Sequence, residues 1–175
     1  MGLFLEVCLN LVYQIGRWSI GVWDVETGKR DGQPLEGHTG FIMCLSFSSD
    51  GRYLASGSWD TTILIWDMDK REEMTGPLRG HKGRIIAADF SPNGNTIISG
   101  SSDKSVCVWD VNSGEVLRKI ICKGNIGTVT YPPDGLFILA CGWGWISMWN
   151  VVDAMAAPKV FDLHEDEYNC GMKFI

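Results

Sequence analysis

Short apolar runs separated by polar turn residues are the main pattern along the chain. In its middle part these runs cover residues 42–47, 53–56 and 63–66. Ser-Asp-Gly and Trp-Asp-Thr-Thr segments lie between them, and a fourth run ends at Leu78. Runs of this length bounded by turn residues are typical of β-strands, and no stretch keeps a helical period. The pattern predicts four antiparallel strands in this part of the chain.

The same unit occurs twice at a fixed distance. Residues 57–67 read GSWDTTILIWD, and residues 100–110, 43 positions later, read GSSDKSVCVWD. Residues 37–68 and 80–111 are identical at 13 of 32 aligned positions. Such self-similarity indicates a repeat architecture, in which sheets that cannot bury both faces alone stack against their neighbours. Four segments end in a Trp-Asp or Trp-Asn pair: Trp23-Asp24, Trp66-Asp67, Trp109-Asp110 and Trp149-Asn150.

With Gly-His near the start of each unit and Trp-Asp at its end, the sequence resembles the WD-repeat (WD40) β-propeller family. Two repeats are complete, at 34–67 and 77–110, and residues 122–150 resemble a degenerate third. The resemblance implies an all-β fold: a partial WD40 β-propeller of four-stranded antiparallel blades, about three blades plus terminal part-blades. We expect a single domain over residues 1–175, with repeats at approximately 1–33 (partial), 34–76, 77–119, 120–157 (degenerate) and 158–175 (partial).

In this family a turn Asp, the Gly-His histidine, a strand Ser and the strand Trp form a hydrogen-bond tetrad inside each blade. Such a chain satisfies buried polar groups and holds three strands together. Asp, His and Ser also make up a catalytic triad, but the chain has no Gly-x-Ser-x-Gly motif and the set occurs twice. We therefore expect a structural role and no catalytic residue. The resemblance assigns the tetrads to His38, Ser56, Asp60 and Trp66, and to His81, Ser99, Asp103 and Trp109.

The third repeat departs from the family pattern. It has Lys123-Gly124-Asn125 where Gly-His is expected and Trp143-Gly144 near the turn Asp, so no tetrad is expected there. A blade without this chain relies on apolar packing, and we expect it to be the weakest of the central blades. The packing residues predicted for it are Ile138, Leu139, Ile146 and Met148.

Partner-facing positions in WD-repeat propellers are commonly the third and fifth residues after the Gly-His histidine and the residue before the turn Asp. Phe, Met, Trp and Arg, which occur at several of these positions here, are enriched at binding hot spots. For Met43 and Ile86 the alternative is packing in the strand that faces the channel. The acidic segment 162–167 is a second candidate, with a solvated loop as its alternative. The candidates carried over are Phe41, Met43 and Trp59 on one blade and Arg84, Ile86 and Ser102 on the next.

Composition limits the partners and the compartment. The 15 Lys and Arg against 21 Asp and Glu give a net charge of −6, so nucleic acid is not an expected partner. The apolar N-terminus contains Glu6 and Asn10 and is too short to cross a membrane. Six cysteines without a Cys-x-x-Cys pair favour a reduced, intracellular chain. The three histidines belong to separate repeats and no nucleotide-binding loop occurs, so neither a metal nor a cofactor is expected.

These observations predict a non-catalytic protein–protein interaction scaffold, the sensing or scaffold part of a larger regulatory complex. Its partners are expected to be other proteins or peptides, with no membrane, in the cytoplasm, with the nucleus as the alternative. A propeller-fold hydrolase is the alternative hypothesis, but the sequence indicates no carboxylates or histidines that would converge on the central channel. A substrate-receptor subunit of a ubiquitin ligase also stays open, although the Trp-Asp-x-Arg sequence typical of that subtype is absent at Trp66 and Trp109.

The chain holds about four repeats, at the lower end of the about four to eight blades of known propellers. We expect an incomplete, open array, which favours self-association through its open edges. The alternatives are a dimeric ring and self-closure, in which a strand at 168–174 pairs with the segment 18–23.

Overall fold

The computed structural model describes residues 10–15, 18–151 and 159–162, which form strands joined by turns, with no helix in this part of the chain. The prediction of an all-β fold is confirmed. Accordingly, the described residues contain no helix that is long and apolar enough to span a bilayer.

Three four-stranded antiparallel sheets follow one another along the chain, and within each sheet consecutive strands are neighbours. The predicted runs at 42–47, 53–56 and 63–66 all lie in strands of the second sheet. The second sheet comprises β4 (Ile42–Phe47), β5 (Tyr53–Ser58), β6 (Ile63–Asp67) and β7 (Glu72–Leu78). The third comprises β8 (Ile85–Phe90), β9 (Thr96–Ser101), β10 (Ser105–Asp110) and β11 (Val116–Ile121). The fourth comprises β12 (Thr128–Thr130), β13 (Phe137–Gly142), β14 (Trp145–Asn150) and β15 (Lys159–Asp162).

The first sheet has three described strands: β1 (Asn10–Ile15), β2 (Ser19–Asp24) and the short β3 (Leu35–Glu36). β3 lies within the sequence repeat 34–76, yet it pairs with β2 and so belongs to the first sheet. The repeat 34–76 therefore begins in the last described strand of the first sheet, and the repeat 77–119 begins at the end of β7, so each of these repeats links two neighbouring sheets.

Alternating side chains of each central strand enter different cores. On β6, Ile63 and Ile65 pack in a cluster with residues of the third sheet, whereas Leu64 and Trp66 pack with residues of the first. On β10, Cys107 and Trp109 face the second sheet, and Val106 and Val108 face the fourth. Successive side chains of a strand point to opposite faces, so apolar residues at every position bury both faces. The four sheets are thus stacked by three successive clusters of buried side chains.

The first strands of the sheets also contact each other, β4 with β8 and β8 with β12. Asp89 on β8 connects β8 to β4 and to the end of β12. Its Oδ1 accepts a hydrogen bond from the Ser46 hydroxyl at 3.0 Å, and its Oδ2 accepts from the Thr130 hydroxyl at 2.9 Å and the Tyr131 amide at 3.0 Å. One carboxylate therefore fixes neighbouring sheets against each other.

Left-handed backbone conformations recur at the turn that precedes the third strand of each complete sheet. Thr61, Lys104 and Gly144 have φ values of 73°, 64° and 74°, and Trp18 has 68° at the equivalent turn of the first sheet. A positive φ at this position is typical of tight β-hairpin turns, whose backbone twist matches that of the flanking strands. All four turns lie at the same end of the sheets, which we call the hairpin end.

Candidate interaction surface

Two chains of buried hydrogen bonds connect the loops and strands at the hairpin end. In the second sheet the Trp66 indole N–H donates to Ser56 Oγ at 2.9 Å, and Ser56 Oγ lies 2.8 Å from His38 Nε2. His38 Nδ1 lies 2.9 Å from Asp60 Oδ2. Because the carboxylate only accepts, Nδ1 carries a proton, and in the neutral imidazole Nε2 then accepts from the serine hydroxyl. The chain joins the loop before β4 to the strands β5 and β6 and to their hairpin.

The third sheet repeats this arrangement at the equivalent positions. Trp109 Nε1 donates to Ser99 Oγ at 2.7 Å, Ser99 Oγ lies 2.8 Å from His81 Nε2, and His81 Nδ1 lies 3.1 Å from Asp103 Oδ2. The side chains of both histidines are fully buried. The four residues proposed for each tetrad are thus in direct contact in both sheets.

Each turn carboxylate accepts further hydrogen bonds. Burial alone would raise the pKa of Asp103, but bonds from Ser105, the Lys82 amide and His81 hold the pKa of this carboxyl far below its ordinary value. The pKa of Asp60 is lowered in the same way. Burial lowers the pKa of His81, and the nearby Asp103 opposes that change only in part. In the third sheet the hydrogen-bond chain therefore joins a neutral imidazole, His81, to an ionised carboxylate, Asp103.

The fourth sheet contains no such chain. Ile138 pairs with Trp149 as Ile97 pairs with Trp109. Two residues further along the strand, Ala140 is therefore equivalent to Ser99 of the third sheet and to Ser56 of the second. Trp145 is buried close to the loop that precedes β12, where its ring nitrogen would lie 3.0 Å from a Cβ on Gly124. Its buried indole N–H has no hydrogen-bond partner among the residues that the structure describes.

The four packing residues predicted for this sheet differ in burial. Ile138 and Leu139 are buried, but Ile146 and Met148 are only half-buried. They alternate along β14 with the buried Trp145, Ser147 and Trp149, so they lie on the face turned away from the third sheet. On β14 it is Trp145 and Trp149 that pack against the third sheet, where the sequence had predicted Ile146 and Met148.

Phe41, Trp59 and Arg84 come together at the hairpin end. The Trp59 amide donates to the Phe41 carbonyl at 2.8 Å, and the two rings meet edge to face with centroids 5.1 Å apart. Arg84 of the third sheet places its guanidinium carbon 3.9 Å from the centre of the Trp59 ring. Phe41 is 50% exposed and Trp59 38%. A guanidinium on an indole face is a cation–π contact that crosses from one sheet to the next.

Met43 and Ile86 occupy identical irregularities in the first strands of their sheets. The register of β4 shifts between Ile42 and Cys44, and that of β8 between Ile85 and Ala87, so each of the two residues is the extra one of a β-bulge. Bulges redirect side chains and are common beside functional sites. Met43 is 45% exposed, whereas Ile86 is partly buried.

Ser102 is exposed in the β9–β10 turn, where its amide donates to the Arg84 carbonyl at 2.9 Å. It corresponds to Trp59 of the preceding sheet. The same turn position of the fourth sheet holds Trp143, which is 84% exposed and was not among the predicted candidates. The signal was available in the sequence, since Trp143 follows the last residue of β13 as Trp59 follows that of β5.

The cysteines depart in one respect from the reduced chain that was predicted. Cys44, Cys107 and Cys122 are free thiols, and burial raises the pKa of each, to about 12 for Cys44 and about 11 for the other two. Cys141, which is fully buried, is disulfide-bonded. The free thiols behave as small apolar groups of the core.

Other chemistry is sparse in the described residues. They contain no group of three or more His, Cys, Asp or Glu side chains that could hold a metal ion. A groove of about 430 Å³ between the first and second sheets is lined by Glu36, Glu72, Glu73 and Arg71, among others. Of the acidic segment 162–167, residues 163–167 lie outside the described part of the chain, as does the strand predicted at 168–174.

Comparison with known proteins identifies the repeats. Residues 30–67 and 72–110 match the family model described as WD domain, G-beta repeat. These two segments are WD40 repeats, and the stacked four-stranded antiparallel sheets are consistent with blades of a partial WD40 propeller.

Three relatives illustrate the similarity. Notchless protein homolog of Arabidopsis thaliana is 41% identical over 34% of this chain and 12% of its own length. Periodic tryptophan protein 2 of Saccharomyces cerevisiae is 47% identical over 28% of this chain and 5% of its own. U3 small nucleolar RNA-interacting protein 2 of Mus musculus is 42% identical over 24% of this chain and 11% of its own. The chain therefore matches only about an eighth or less of the length of these relatives.

Proposed function

We propose that this chain is a non-catalytic protein–protein interaction module and that it binds a peptide segment of another protein at its hairpin end. The binding surface consists of Phe41, Met43, Trp59 and Arg84, with Ile86 and Ser102 at its border, and we call it the Trp59 surface. The observation that carries the proposal is the exposed stack of Phe41, Trp59 and Arg84, formed by two neighbouring sheets.

The side chains of the Trp59 surface are those that contribute most at interfaces. Trp and Arg dominate hot spots, and a preorganised aromatic loses little conformational entropy on binding. Here Trp59 is held by Phe41 on one side and by Arg84 on another, and its backbone is fixed to β4 through the Phe41 carbonyl. Beneath it the Asp60 carboxylate is fixed by His38 and Thr62. The surface is therefore rigid as well as exposed.

The WD40 repeats and the relatives support a scaffold role in general. Within that role we favour the sensing or scaffold part of a larger regulatory complex. The mouse relative takes its name from a small nucleolar RNA, which supports the nucleus rather than the cytoplasm as the compartment of this chain.

The test compares partner capture by the wild-type chain and by Trp59→Ala from a lysate of the source organism, with mass spectrometry of the bound proteins. We expect specific partners to be retained by the wild type and lost by the variant, because hot-spot aromatics typically contribute at least about 2 kcal/mol. The melting temperature of the variant should change by only a few degrees, since Trp59 lies outside the core clusters.

The matched control is Val25→Ala, an exposed apolar side chain in the turn between β2 and β3 at the opposite end of the sheets. It should retain every partner. Equal capture by the wild type and by Trp59→Ala would contradict the proposal, and a large loss of stability in Trp59→Ala would assign the ring to the core instead.

A further inference from the structure

Three cations are concentrated at the hairpin end of the third sheet. Lys82 and Arg84 lie in the loop before β8, and Lys104 lies in the β9–β10 turn. Backbone contacts hold these loops together: the Lys82 amide donates to Asp103 Oδ2 at 2.8 Å, and the Ser102 amide donates to the Arg84 carbonyl at 2.9 Å. All three side chains are exposed. We call them the basic cluster.

The fold does not require these charges. The preceding repeat builds the same loop, the same turn and the same hydrogen-bond chain with Thr39, Phe41 and Thr61 at the equivalent positions. Both the threonine and the lysine amides donate to the turn carboxylate at 2.8 Å. Because an uncharged version of the same structure stands beside it, the basic cluster is a property of the surface rather than of the scaffold.

The cluster also has no carboxylate of its own to neutralise it. Within the described residues, no ion pair joins the side chain of Lys82, Arg84 or Lys104 to an acidic group. Asp103, the carboxylate in that turn, already accepts from His81 and Ser105 and pairs with Lys119. Three like charges on adjoining loops repel each other, so a bound anion would relieve a cost that the free protein carries.

The cluster borders apolar surface. Arg84 stacks on Trp59, and beside that ring lie Phe41 and Met43, which are 50% and 45% exposed. Positive charge next to exposed aromatic and thioether side chains matches a segment that offers carboxylates beside an apolar residue.

We propose that the partner segment bound at the Trp59 surface is acidic, with an apolar side chain against Trp59 and Phe41 and carboxylates on the basic cluster. This inference rests on the proposed function and names the chemistry of its partner. A short acidic peptide fits better than RNA, because three cations form a local site and not a track. The net charge of −6 over the whole chain repels an extended phosphate backbone beyond that site.

The test measures binding of a fluorescein-labelled peptide rich in glutamate with one phenylalanine to the full chain, by fluorescence anisotropy. The same peptide with Gln in place of every Glu and an oligouridylate RNA of equal length are the comparison probes. The variant Lys82→Gln/Arg84→Gln/Lys104→Gln removes the basic cluster. The control Lys29→Gln/Arg30→Gln/Lys70→Gln removes the same number of charges from turns at the opposite end of the sheets.

We expect the glutamate peptide to bind the wild type at least about tenfold more tightly than the Gln peptide and to weaken with added salt. The cluster variant should lose about tenfold or more in affinity, whereas the control variant should change little. Melting curves of both variants establish that they are folded.

Equal affinity for the Glu and Gln peptides, equal weakening by the two triple variants, or tighter binding of the RNA would each overturn the inference. The proposed function fails separately. If Trp59→Ala loses its lysate partners while the cluster variant keeps them, the Trp59 surface binds partners but the inference that the bound segment is acidic is wrong. If neither variant loses a partner, both are wrong.

Discussion

His81 is bonded at both ring nitrogens, to Ser99 and to Asp103, so its removal breaks a chain at its centre. We expect His81→Ala to lower the free energy of unfolding by about 2 to 4 kcal/mol, because it leaves a buried hydroxyl and a carboxylate without their partner and opens a cavity. Denaturant unfolding of the purified variant measures this. The neighbouring Lys82→Gln, an exposed side chain, is the control and should unfold like the wild type. If His81→Ala also unfolded like the wild type, the buried chain would not be important for stability.

The carboxylate of the same chain makes stability depend on pH. The pKa of Asp103 is lowered in the folded state, so the unfolded chain binds a proton at a higher pH than the folded chain does. The contribution of Asp103 is therefore present above its unfolded pKa of about 4 and is lost as the pH falls below that value. We expect Asp103→Asn to be less stable than the wild type at neutral pH. The difference should narrow between about pH 5 and pH 3 in urea unfolding series; a constant difference would contradict this assignment.

At the scale of elements, the third and fourth sheets differ in the buried hydrogen-bond chain, which the third sheet has and the fourth lacks. The fourth sheet has Ala140 in place of the serine, and within the described part of the chain the buried indole N–H of Trp145 has no partner. An unsatisfied buried donor costs about 1 to 3 kcal/mol. The β13–β14 turn therefore lacks the buried hydrogen-bond chain that fixes the β9–β10 turn.

We expect the amides of β13 and β14 to exchange with deuterium faster than those of β9 and β10, because local opening is easier where fewer buried contacts must break. Hydrogen-exchange mass spectrometry distinguishes the four strands. Ser99→Ala gives the third sheet the residue found in the fourth, and it should raise exchange in β9 and β10 towards the rate in β13 and β14. Equal protection of the two sheets in the wild type would show that Trp145 fully replaces the chain.

The elements themselves could largely be predicted from the sequence, because short apolar runs between Gly, Asp and Ser turns leave few alternatives to β-hairpins. The resemblance to the WD-repeat family also assigned the members of both hydrogen-bond chains, at equivalent positions of the two repeats. Contacts across sheets could not be predicted, as they depend on how far one sheet is rotated against the next. The stacking of Arg84 on Trp59 and the links made by Asp89 are of this kind. No strand was predicted at β1, because residues 1–13 match no part of the repeats well.

At the scale of the whole molecule, the two outermost sheets differ from the central pair. The second and third sheets are covered on both faces by other described sheets. The first and fourth are each covered on one face by a described sheet, and at the far face of the fourth Ile146 and Met148 are half-buried. On β15, the last strand of the fourth sheet, Val160 is 48% exposed. Apolar faces and unpaired strand edges promote association between copies.

We therefore expect a polypeptide of this sequence to associate in solution through its outermost sheets. Light scattering at increasing protein concentration should show a mass that rises above that of one chain, because contacts between open faces form by mass action. A discrete dimer would indicate a ring completed by two copies, of about eight blades, within the range known for propellers. A compact monomer at all concentrations, with one cooperative melting transition, would contradict the expectation. It would favour self-closure, since only a covered pair of outer sheets removes the exposed apolar surface without a second molecule.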